Sequence, residues 1–188
     1  RVWTPDELTR LGNICLRNGV TVVADEIHCE LVYQGFKYTP FASLSDAFLH
    51  RSVTCVSPSK AFNIAGLQIA NIVAFDNDLR SRIDKAININ EVCDVNPFGV
   101  AATIAAYNEG EEWLNQLVDY LHGNYEAMAE FCRRELSEFP ITRLEGTYLV
   151  WMDCSSLGMP SDALEHALLE DARLWLNAGT MYGAEGEG

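Results

Sequence analysis

The sequence predicts an α/β fold with a largely parallel sheet. Three short runs rich in β-branched residues have the character of buried strands: Val20–Ala24, Ser52–Val56 and Ile69–Phe75. Helical patterns, with apolar residues at steps of three and four, stand before and after these runs. An alternation of helix and strand favours a sheet whose strands run mainly in one direction and whose faces are covered by helices.

The first helix is predicted to begin at Pro5. Thr4–Glu7 has the capping-box pattern, with proline at the first helical position. An apolar face follows, and the pair Asn18-Gly19 is typical of a helix C-terminal cap. The first predicted strand comes next, and Asp25 stands at its carboxyl end.

The rest of the chain continues the alternation and then changes character. The further elements are predicted in this order: helices over Asp78–Asn90, Val100–Asn108 and about 111–139, a strand over Tyr148–Asp153, a helix opened by Ser161, and a short strand near Arg173–Leu176. Shorter, antiparallel-looking elements after the long helix indicate a second, smaller domain. We assign residues 1–115 to a large domain and 116–188 to an incomplete small domain, joined by the long helix.

The composition argues against several kinds of partner. The chain has 188 residues and a formal net charge of −14, from 27 acidic and 13 basic side chains. Nucleic-acid binding depends on clustered lysine and arginine, so this acidic balance argues against it. The longest apolar runs have five or six residues. They are far shorter than the roughly 20 residues that a membrane-spanning helix needs. We expect neither a nucleic acid nor a membrane as partner.

The six cysteines favour a reducing compartment. They stand singly, without a C-x-x-C pair or a histidine spaced for zinc, so no metal site is predicted. Cys15, Cys55 and Cys132 lie at apolar positions and are expected to be buried thiols. No charged-then-apolar leader opens the sequence, which favours the cytoplasm. The chain begins at Arg1 and stops in a glycine-rich stretch, so we interpret it as a piece of a longer protein.

Two segments carry groups with reactive chemistry. Residues 22–28 contain an acidic turn that begins with Asp25, and residues 57–68 form a loop, rich in Ser and Pro at its start, that holds Lys60. In open α/β sheets, ligands bind outside the carboxyl ends of strands, and both segments follow a predicted strand. From the residues alone, an aspartate that caps or forms a salt bridge and a lysine that lies in solvent are the favoured explanation, and a reactive pair is the other. Both interpretations stay open at this point.

The same segments resemble fold type I pyridoxal-phosphate enzymes of the class I/II aminotransferase superfamily, in the cystathionine β-lyase-like branch. The resemblance rests on these motifs: Asp25-Glu-Ile-His28, Leu31-Val-Tyr-x-Gly35, Pro40-Phe-Ala-Ser43, Ser57-Pro-Ser-Lys60-x-Phe-Asn-Ile-Ala-Gly66, Gly146-Thr-Tyr-Leu-Val-Trp151 and Gly179-x-x-Tyr-Gly183-x-x-Gly186-Glu-Gly188. It covers nearly the whole chain. It implies the large α/β domain of the PLP-transferase fold, followed by part of a small α+β domain.

The resemblance implies roles for five residues. Lys60 would be the catalytic lysine that forms the Schiff base with pyridoxal 5′-phosphate, and it would act as the base at the substrate α-carbon. Asp25 would hold a proton on the pyridine nitrogen, since a nearby carboxylate favours the charged ring. Ser57 matches a serine that binds the cofactor phosphate, or it forms a turn, and Ser59 lies in the same loop. His28 would face the phenolic oxygen of the cofactor, or it caps the strand end.

Two positions depart from the family pattern. Many members have an arginine that binds the phosphate where this chain has Gln68, and Tyr38 stands where histidine is expected. The glycine/serine phosphate loop and the ring-stacking aromatic residue of the family would precede this chain. The arginine that binds the substrate carboxylate would follow Gly188.

The resemblance implies a carbon–sulfur β-lyase that cleaves cysteine thioethers such as cystathionine to a thiol, pyruvate and ammonia. An aminotransferase on the same scaffold is the alternative, because Lys60 and Asp25 serve both reactions. A non-catalytic regulator or an inactive fragment is the further alternative. Relatives work as dimers with sites at the interface, so we expect a homodimer of the full protein.

Overall fold

The computed structural model describes residues 1–92 and 94–188, so Cys93 lies outside the described residues. The chain forms two compact units. The first contains residues 1–122 and 145–147, and the second contains residues 123–144 and 148–188. The predicted α/β class is confirmed, because helices alternate with a sheet that contains a parallel strand pair. The assignment of residues 1–115 and 116–188 to two domains stays a prediction.

The first unit contains a three-stranded sheet in the order β1-β2-β3. The strands are β1 (Val22–Asp25), β2 (Ser52–Val56) and β3 (Asn71–Val73). Strands β1 and β2 run parallel, so that Val22 pairs with Ser52 and Asp25 pairs with Cys55. Strand β3 runs antiparallel to β2, and the expected parallel direction therefore holds for only one of the two pairs. The reason is that no α-helix lies between β2 and β3, whereas a parallel connection needs a long crossover.

Six α-helices lie in the described part of the chain: α1 (Pro5–Arg17), α2 (Asp46–His50), α3 (Asn77–Ile89), α4 (Pro97–Glu109), α5 (Glu111–Glu135) and α6 (Ser161–Ala172). Five 3-10 turns are shorter: Phe41–Ser43, Ala65–Leu67, Ser155–Leu157, Gly179–Tyr182 and Ala184–Gly186. Local capping explains the start of α1. The Glu7 N–H donates to Thr4 Oγ1 at 3.3 Å, and the Thr4 N–H donates to the Glu7 carboxylate at 2.9 Å. The predicted long helix is present but ends earlier, at Glu135.

The core of the first unit packs around the segment that joins β1 to β2. Leu31 and Tyr33 are buried, and the ring of Phe41 stacks on that of Phe48 with centroids 5.1 Å apart. Helix α1 approaches this pair closely because Gly12 has no side chain. A Cβ atom at Gly12 would lie 2.5 Å from the Phe48 ring. This packing fixes the segment that carries the turn after β1.

Apolar side chains of the first unit remain exposed on the sheet and on one helix. Val23 of β1 is 67% exposed, and the side chains of β3 are exposed as well. Helix α4 is apolar all round and presents Phe98 and Ile104 to solvent. Exposed apolar areas of this kind mark surfaces that contact other chain segments or partners.

Two strands predicted from the sequence are not found among the described residues of the second unit. Ile141 and Met152 form an isolated antiparallel bridge, and no longer ladder includes the predicted strand Tyr148–Asp153 within the described residues. The strand predicted near Arg173–Leu176 is also wrong. Arg173 ends α6 with a φ of 55°, in the left-handed region, and the described residues offer no strand beside it. A short apolar run becomes a strand only where a neighbouring strand satisfies its backbone groups.

Two glycines meet near the end of the second unit. A Cβ atom on Gly179 would lie 2.0 Å from the carbonyl oxygen of Gly186, so this approach requires glycine. The N–H of Gly188 donates to Oγ of Ser161 at 2.9 Å. The glycine-rich stretch is thus folded back on the start of α6.

The cysteines match the sequence expectation in part. Cys132 is buried, whereas Cys15 and Cys55 are half-buried, and the five described cysteines form no disulfide. Over residues 1–92 and 94–188, no helix combines the length and the apolar character that a bilayer crossing requires.

Candidate active site

Asp25 lies at the point where β1 leaves the sheet. The N–H of Glu26 donates to the carbonyl oxygen of Cys55 at 2.9 Å and extends the β1–β2 ladder by one bond. The chain then turns, and the N–H of Ile27 donates to Oδ1 of Asp25 at 3.2 Å. The Asp25 side chain is exposed, and its Oδ2 accepts no hydrogen bond from the described residues. One carboxylate oxygen therefore holds the turn, while the other is available to a ligand.

Lys60 lies in the turn that follows β2. The N–H of Phe62 donates to the carbonyl oxygen of Pro58 at 2.9 Å, and that of Ile64 donates to the carbonyl oxygen of Ser59 at 3.1 Å, so the backbone around the lysine forms consecutive hydrogen-bonded turns. Lys60 is half-buried, and its amine forms no ion pair with a carboxylate of the described residues. The amine therefore has no carboxylate partner in the described part of the chain that competes with a ligand.

The sheet register brings Asp25 and Lys60 to the same edge. Strands β1 and β2 are parallel neighbours, which lie about 4.8 Å apart, and both chains leave the sheet beside each other. His28 lies within electrostatic reach of both groups. Burial, and then the positive charge of Lys60, lower the pKa of His28. The carboxylates of Asp25 and Glu30 raise it. These four side chains therefore form one cluster.

The two serines of the lysine turn differ in their surroundings. Ser57 is 2% exposed, and its hydroxyl donates to the carbonyl oxygen of Ile69 at 2.6 Å and accepts from the N–H of Ser59 at 3.1 Å. Ser59 is half-buried, and within the described residues its hydroxyl makes no hydrogen bond. Gln68 adopts a φ of 50°, in the left-handed region, and directly precedes Ile69, whose carbonyl oxygen accepts from Ser57. Phosphate binding by these serines stays a prediction.

Glu26 lies beside the candidate site and holds neighbouring segments in place, a role that the sequence did not indicate. Its two oxygens accept from the hydroxyl of Tyr38 and from the N–H of Phe41, the latter at 2.9 Å. Burial, and then Glu26, raise the pKa of Tyr38, so the phenol stays protonated and donates. Tyr38, which stands where histidine was expected, thus has its own partner in the carboxylate of Glu26. The only sequence signal for Glu26 is its place directly after Asp25.

The sequence also did not indicate that Trp113 contacts the lysine turn. It lies near the start of α5, and its indole N–H donates to the carbonyl oxygen of Ala61 at 3.3 Å. Ala61 is fully buried next to Lys60. No local pattern connects the two residues, because they are far apart in the sequence and meet only in the folded chain.

The cluster fits the groups that pyridoxal phosphate presents. Lys60 has an amine of the kind that reacts with an aldehyde, and the available Oδ2 of Asp25 is an acceptor of the kind that suits a protonated ring nitrogen. On the phosphate side, the Ser59 hydroxyl is available, whereas Gln68 brings no charge. Within the part of the chain that the structure describes, no three His, Cys, Asp or Glu side chains are grouped to hold a metal ion.

Comparison with known proteins gives consistent matches over the whole chain. A family model described as aminotransferase class I and II matches residues 1–188. The chain is 42% identical over 188 residues to cystathionine beta-lyase PatB of Bacillus subtilis (strain 168), an alignment that covers 100% of this chain and 49% of that protein. It is 31% identical over 189 residues to protein MalY of Escherichia coli (strain K12), with 100% and 48% covered.

A solved structure is similar over the same length. The PLP-bound putative aminotransferase from Clostridium difficile 630 matches with a TM-score of 0.97 and 38% identity, covering 100% of this chain and 49% of that one. The resemblance that the sequence motifs indicated is therefore confirmed. The chain spans about half the length of the curated relatives that it matches.

Proposed function

The chain belongs to the class I and II aminotransferase family, and we propose that it is part of a pyridoxal-phosphate-dependent carbon–sulfur β-lyase. The proposed reaction converts a cysteine thioether such as cystathionine, with water, to a thiol, pyruvate and ammonia. One observation carries the proposal. Lys60 and Asp25 follow neighbouring parallel strands at one sheet edge, and the charges of both act on His28.

Lys60 and Asp25 have the central roles in this proposal. Pyridoxal phosphate, when bound, withdraws electrons from the α-carbon of an amino acid. Asp25 would face the ring nitrogen and keep a proton there, because a carboxylate stabilises a neighbouring cation. The amine of Lys60 would hold the cofactor through its aldehyde, and as a free amine it would be the base that removes the substrate α-proton. Loss of that proton prepares the departure of the thiolate from Cβ, and the thiolate then takes up a proton.

His28 and the two serines are proposed to orient the cofactor. The lowered pKa keeps the His28 ring neutral at pH 7, so one ring nitrogen can donate to the phenolic oxygen. Ser59 offers its hydroxyl to the phosphate. Ser57 would bind the phosphate only by giving up its bond to Ile69, and it otherwise fixes the turn that presents Ser59.

An aminotransferase on the same scaffold is the second candidate. It is favoured by the same pair, because an amine that moves a proton and a carboxylate that keeps the ring nitrogen protonated serve transamination equally well. The 42% identity to a cystathionine beta-lyase supports the lyase first. The two reactions differ in their need for a second substrate. Thiol and pyruvate release without any added 2-oxo acid indicates the lyase, and activity only with a 2-oxo acid indicates the aminotransferase.

We also propose a homodimer in the cytoplasm, with residues 1–115 in the large domain and 116–188 in the small one. The exposed apolar residues of α4, Phe98 and Ile104, support an interface on this helix. The five described cysteines, which form no disulfide, agree with a reducing compartment.

Reductive labelling tests the proposed function. The complete protein that carries this chain is mixed with pyridoxal phosphate, reduced with borohydride, digested and analysed by mass spectrometry. We expect the label on the peptide that contains Lys60. Lys37 and Lys85 are exposed and serve as internal controls, since they are the other two lysines of the chain.

The variant Lys60→Ala completes this test. It should lose the label, the pyruvate release and the cofactor absorption band, whereas Lys37→Ala should keep all three. Label that persists in Lys60→Ala, or that appears on Lys37 or Lys85 instead, would contradict the assignment of Lys60.

A further inference from the structure

The candidate site is divided between two separate turns. The first turn carries Asp25 and His28 and ends at Glu30, and the second runs from Pro58 to Phe62 and carries Lys60. Tyr107, on α4, contacts both turns. Its hydroxyl donates to Oε1 of Glu30 at 3.2 Å, and its ring meets that of Phe62 edge to face, with centroids 6.1 Å apart and an interplanar angle of 84°.

Both partners of the hydrogen bond between Tyr107 and Glu30 have surroundings that preserve it. Burial, and then the charge of Glu30, raise the pKa of Tyr107 to about 12, so its hydroxyl remains a donor at neutral pH. The other oxygen of Glu30 accepts from Sγ of Cys29 at 3.2 Å. The carboxylate thus has two donors, one on its own turn and one on α4.

The contact between Tyr107 and Phe62 is held by the junction of α4 and α5. Gly110 lies between these helices, and a Cβ atom there would lie 2.4 Å from Cε1 of Phe62, so the Phe62 ring occupies the space that a side chain would need. The Trp113 indole also donates to the carbonyl oxygen of Ala61. The lysine turn is therefore packed against the end of α4 and the start of α5.

We propose that Tyr107 is a positioning residue that ties the turn of Asp25 and His28 to the turn of Lys60. The proposal rests on the proposed function, in which these groups act on one cofactor. The Tyr107 hydroxyl holds the turn of Asp25 and His28 through its bond to Glu30, and the Tyr107 ring holds the turn of Lys60 through its contact with Phe62. Loss of the hydroxyl alone removes the bond from α4 to the end of the first turn and leaves the second turn in place, so the distance between Lys60 and the Asp25–His28 pair is held less firmly.

The test is Tyr107→Phe in the complete protein, compared with Tyr120→Phe as the matched control. Tyr120 is an exposed tyrosine of α5, and its hydroxyl makes no hydrogen bond within the described residues. The first measurement is the pKa of the His28 ring by NMR in the absence of cofactor. The charged groups that act on this ring are Lys60, which lowers the pKa, and Asp25 and Glu30, which raise it.

In Tyr107→Phe we expect the His28 pKa to rise towards the ordinary value of about 6.5, because the ring becomes less buried and lies farther from Lys60. We expect kcat to fall about tenfold, as the loss of one hydrogen bond to a charged group allows, with a smaller change in KM. Tyr120→Phe should change neither quantity.

A second variant separates the effect of the hydrogen bond between Tyr107 and Glu30 from the effect of the negative charge of Glu30. In Glu30→Gln the amide oxygen can still accept from Tyr107, but the negative charge is gone. The His28 pKa should then fall, which is the opposite direction to Tyr107→Phe, and kcat should be reduced less than in Tyr107→Phe. Should Tyr107→Phe fail to fold, Glu30→Ala removes the acceptor of the same bond and should lower kcat more than Glu30→Gln does, and equal falls in kcat would overturn the tie. Circular dichroism reports folding for each protein.

The outcomes can be told apart from failure of the proposed function. An unchanged His28 pKa in Tyr107→Phe overturns the tie, even when borohydride labels Lys60. A raised His28 pKa without any label on Lys60 supports the tie between the turns and contradicts the proposed cofactor chemistry. A fall in the His28 pKa in Tyr107→Phe also overturns the tie, because this variant keeps the charge of Glu30 and a fall shows that the His28 ring has not moved away from Lys60 or towards solvent.

Discussion

The hydroxyl of Ser57 forms hydrogen bonds with the surrounding backbone. The sequence allowed two roles for this serine, a phosphate ligand and a turn-forming residue, and these bonds favour the second. A phosphate ligand needs a free donor, whereas Ser57 already donates to Ile69 and accepts from Ser59. A spacing motif identifies the residue type, but it does not report where the hydroxyl hydrogen points. The roles of Ser57 and Ser59 are therefore best separated by stability rather than by activity.

Ser57→Ala should lower the free energy of unfolding by about 1–3 kcal/mol, because it leaves buried backbone groups without a partner. Ser59→Ala should change it by less than about 0.5 kcal/mol and should weaken the binding of pyridoxal phosphate instead. Urea unfolding without cofactor and a titration with the cofactor measure the two effects. A Ser57→Ala protein of unchanged stability would show that the bond to Ile69 contributes nothing.

His28 should make stability depend on pH. Its pKa is lower in the folded chain than the ordinary value of about 6.5, so below that pH the unfolded chain binds a proton that the folded chain resists. The free energy of unfolding should therefore decrease as the pH falls through about 6.5. His28→Gln should show a shallower slope between pH 5 and 7 when both proteins are unfolded in urea. Equal slopes in the two proteins would contradict the lowered pKa.

At the scale of elements, the structures that local rules create were predicted, and those that need a distant partner were not. The capping box at Thr4 and the β-branched run at Ser52–Val56 gave the right helix start and the right strand. The apolar run Tyr148–Asp153 has a similar composition, but it pairs only at Met152. The direction of β3 was also missed, because it depends on the path of the chain after β2.

Close packing of α1 on α2 gives a prediction at this scale. Gly12→Ala places a Cβ atom against the buried Phe48 ring and should lower the free energy of unfolding by about 1–3 kcal/mol. Gly123→Ala is the matched control, since Gly123 also lies in a helix, but no atom lies within 4 Å of its Cβ position. It should raise the free energy of unfolding by about 0.5–1 kcal/mol. Urea unfolding should give opposite signs, and equal signs would contradict the close contact.

At the scale of the whole molecule, the sequence predicted which groups form the candidate site but not what holds them. Asp25 and Lys60 could be paired because the carboxyl ends of parallel strands meet at one edge. The contacts of Tyr107 with Glu30 and Phe62 join segments that are far apart in the sequence. No periodicity or motif encodes such a contact, because it follows from the complete packing of the chain.

The exposed surface of α4 gives a prediction for the assembly. Ile104 is 57% exposed on this apolar helix, and Ile104→Glu in the complete protein should shift the proposed dimer towards the monomer, because a charge resists burial. Leu169→Glu on α6 is the control, since Leu169 is 44% exposed and should leave the assembly unchanged. Sedimentation velocity at several concentrations measures the outcome, and circular dichroism checks folding. A dimer that Ile104→Glu leaves intact would argue against an interface on α4.

The contact between Gly179 and Gly186 has a consequence for the genetics of this protein. Because a methyl group at position 179 would overlap the carbonyl oxygen of Gly186, and one at position 186 would overlap Gly179, neither codon tolerates a missense change without moving the backbone. In a randomly mutagenised gene library, both codons should keep only synonymous substitutions once misfolded products are removed, even before any screen for catalysis is applied.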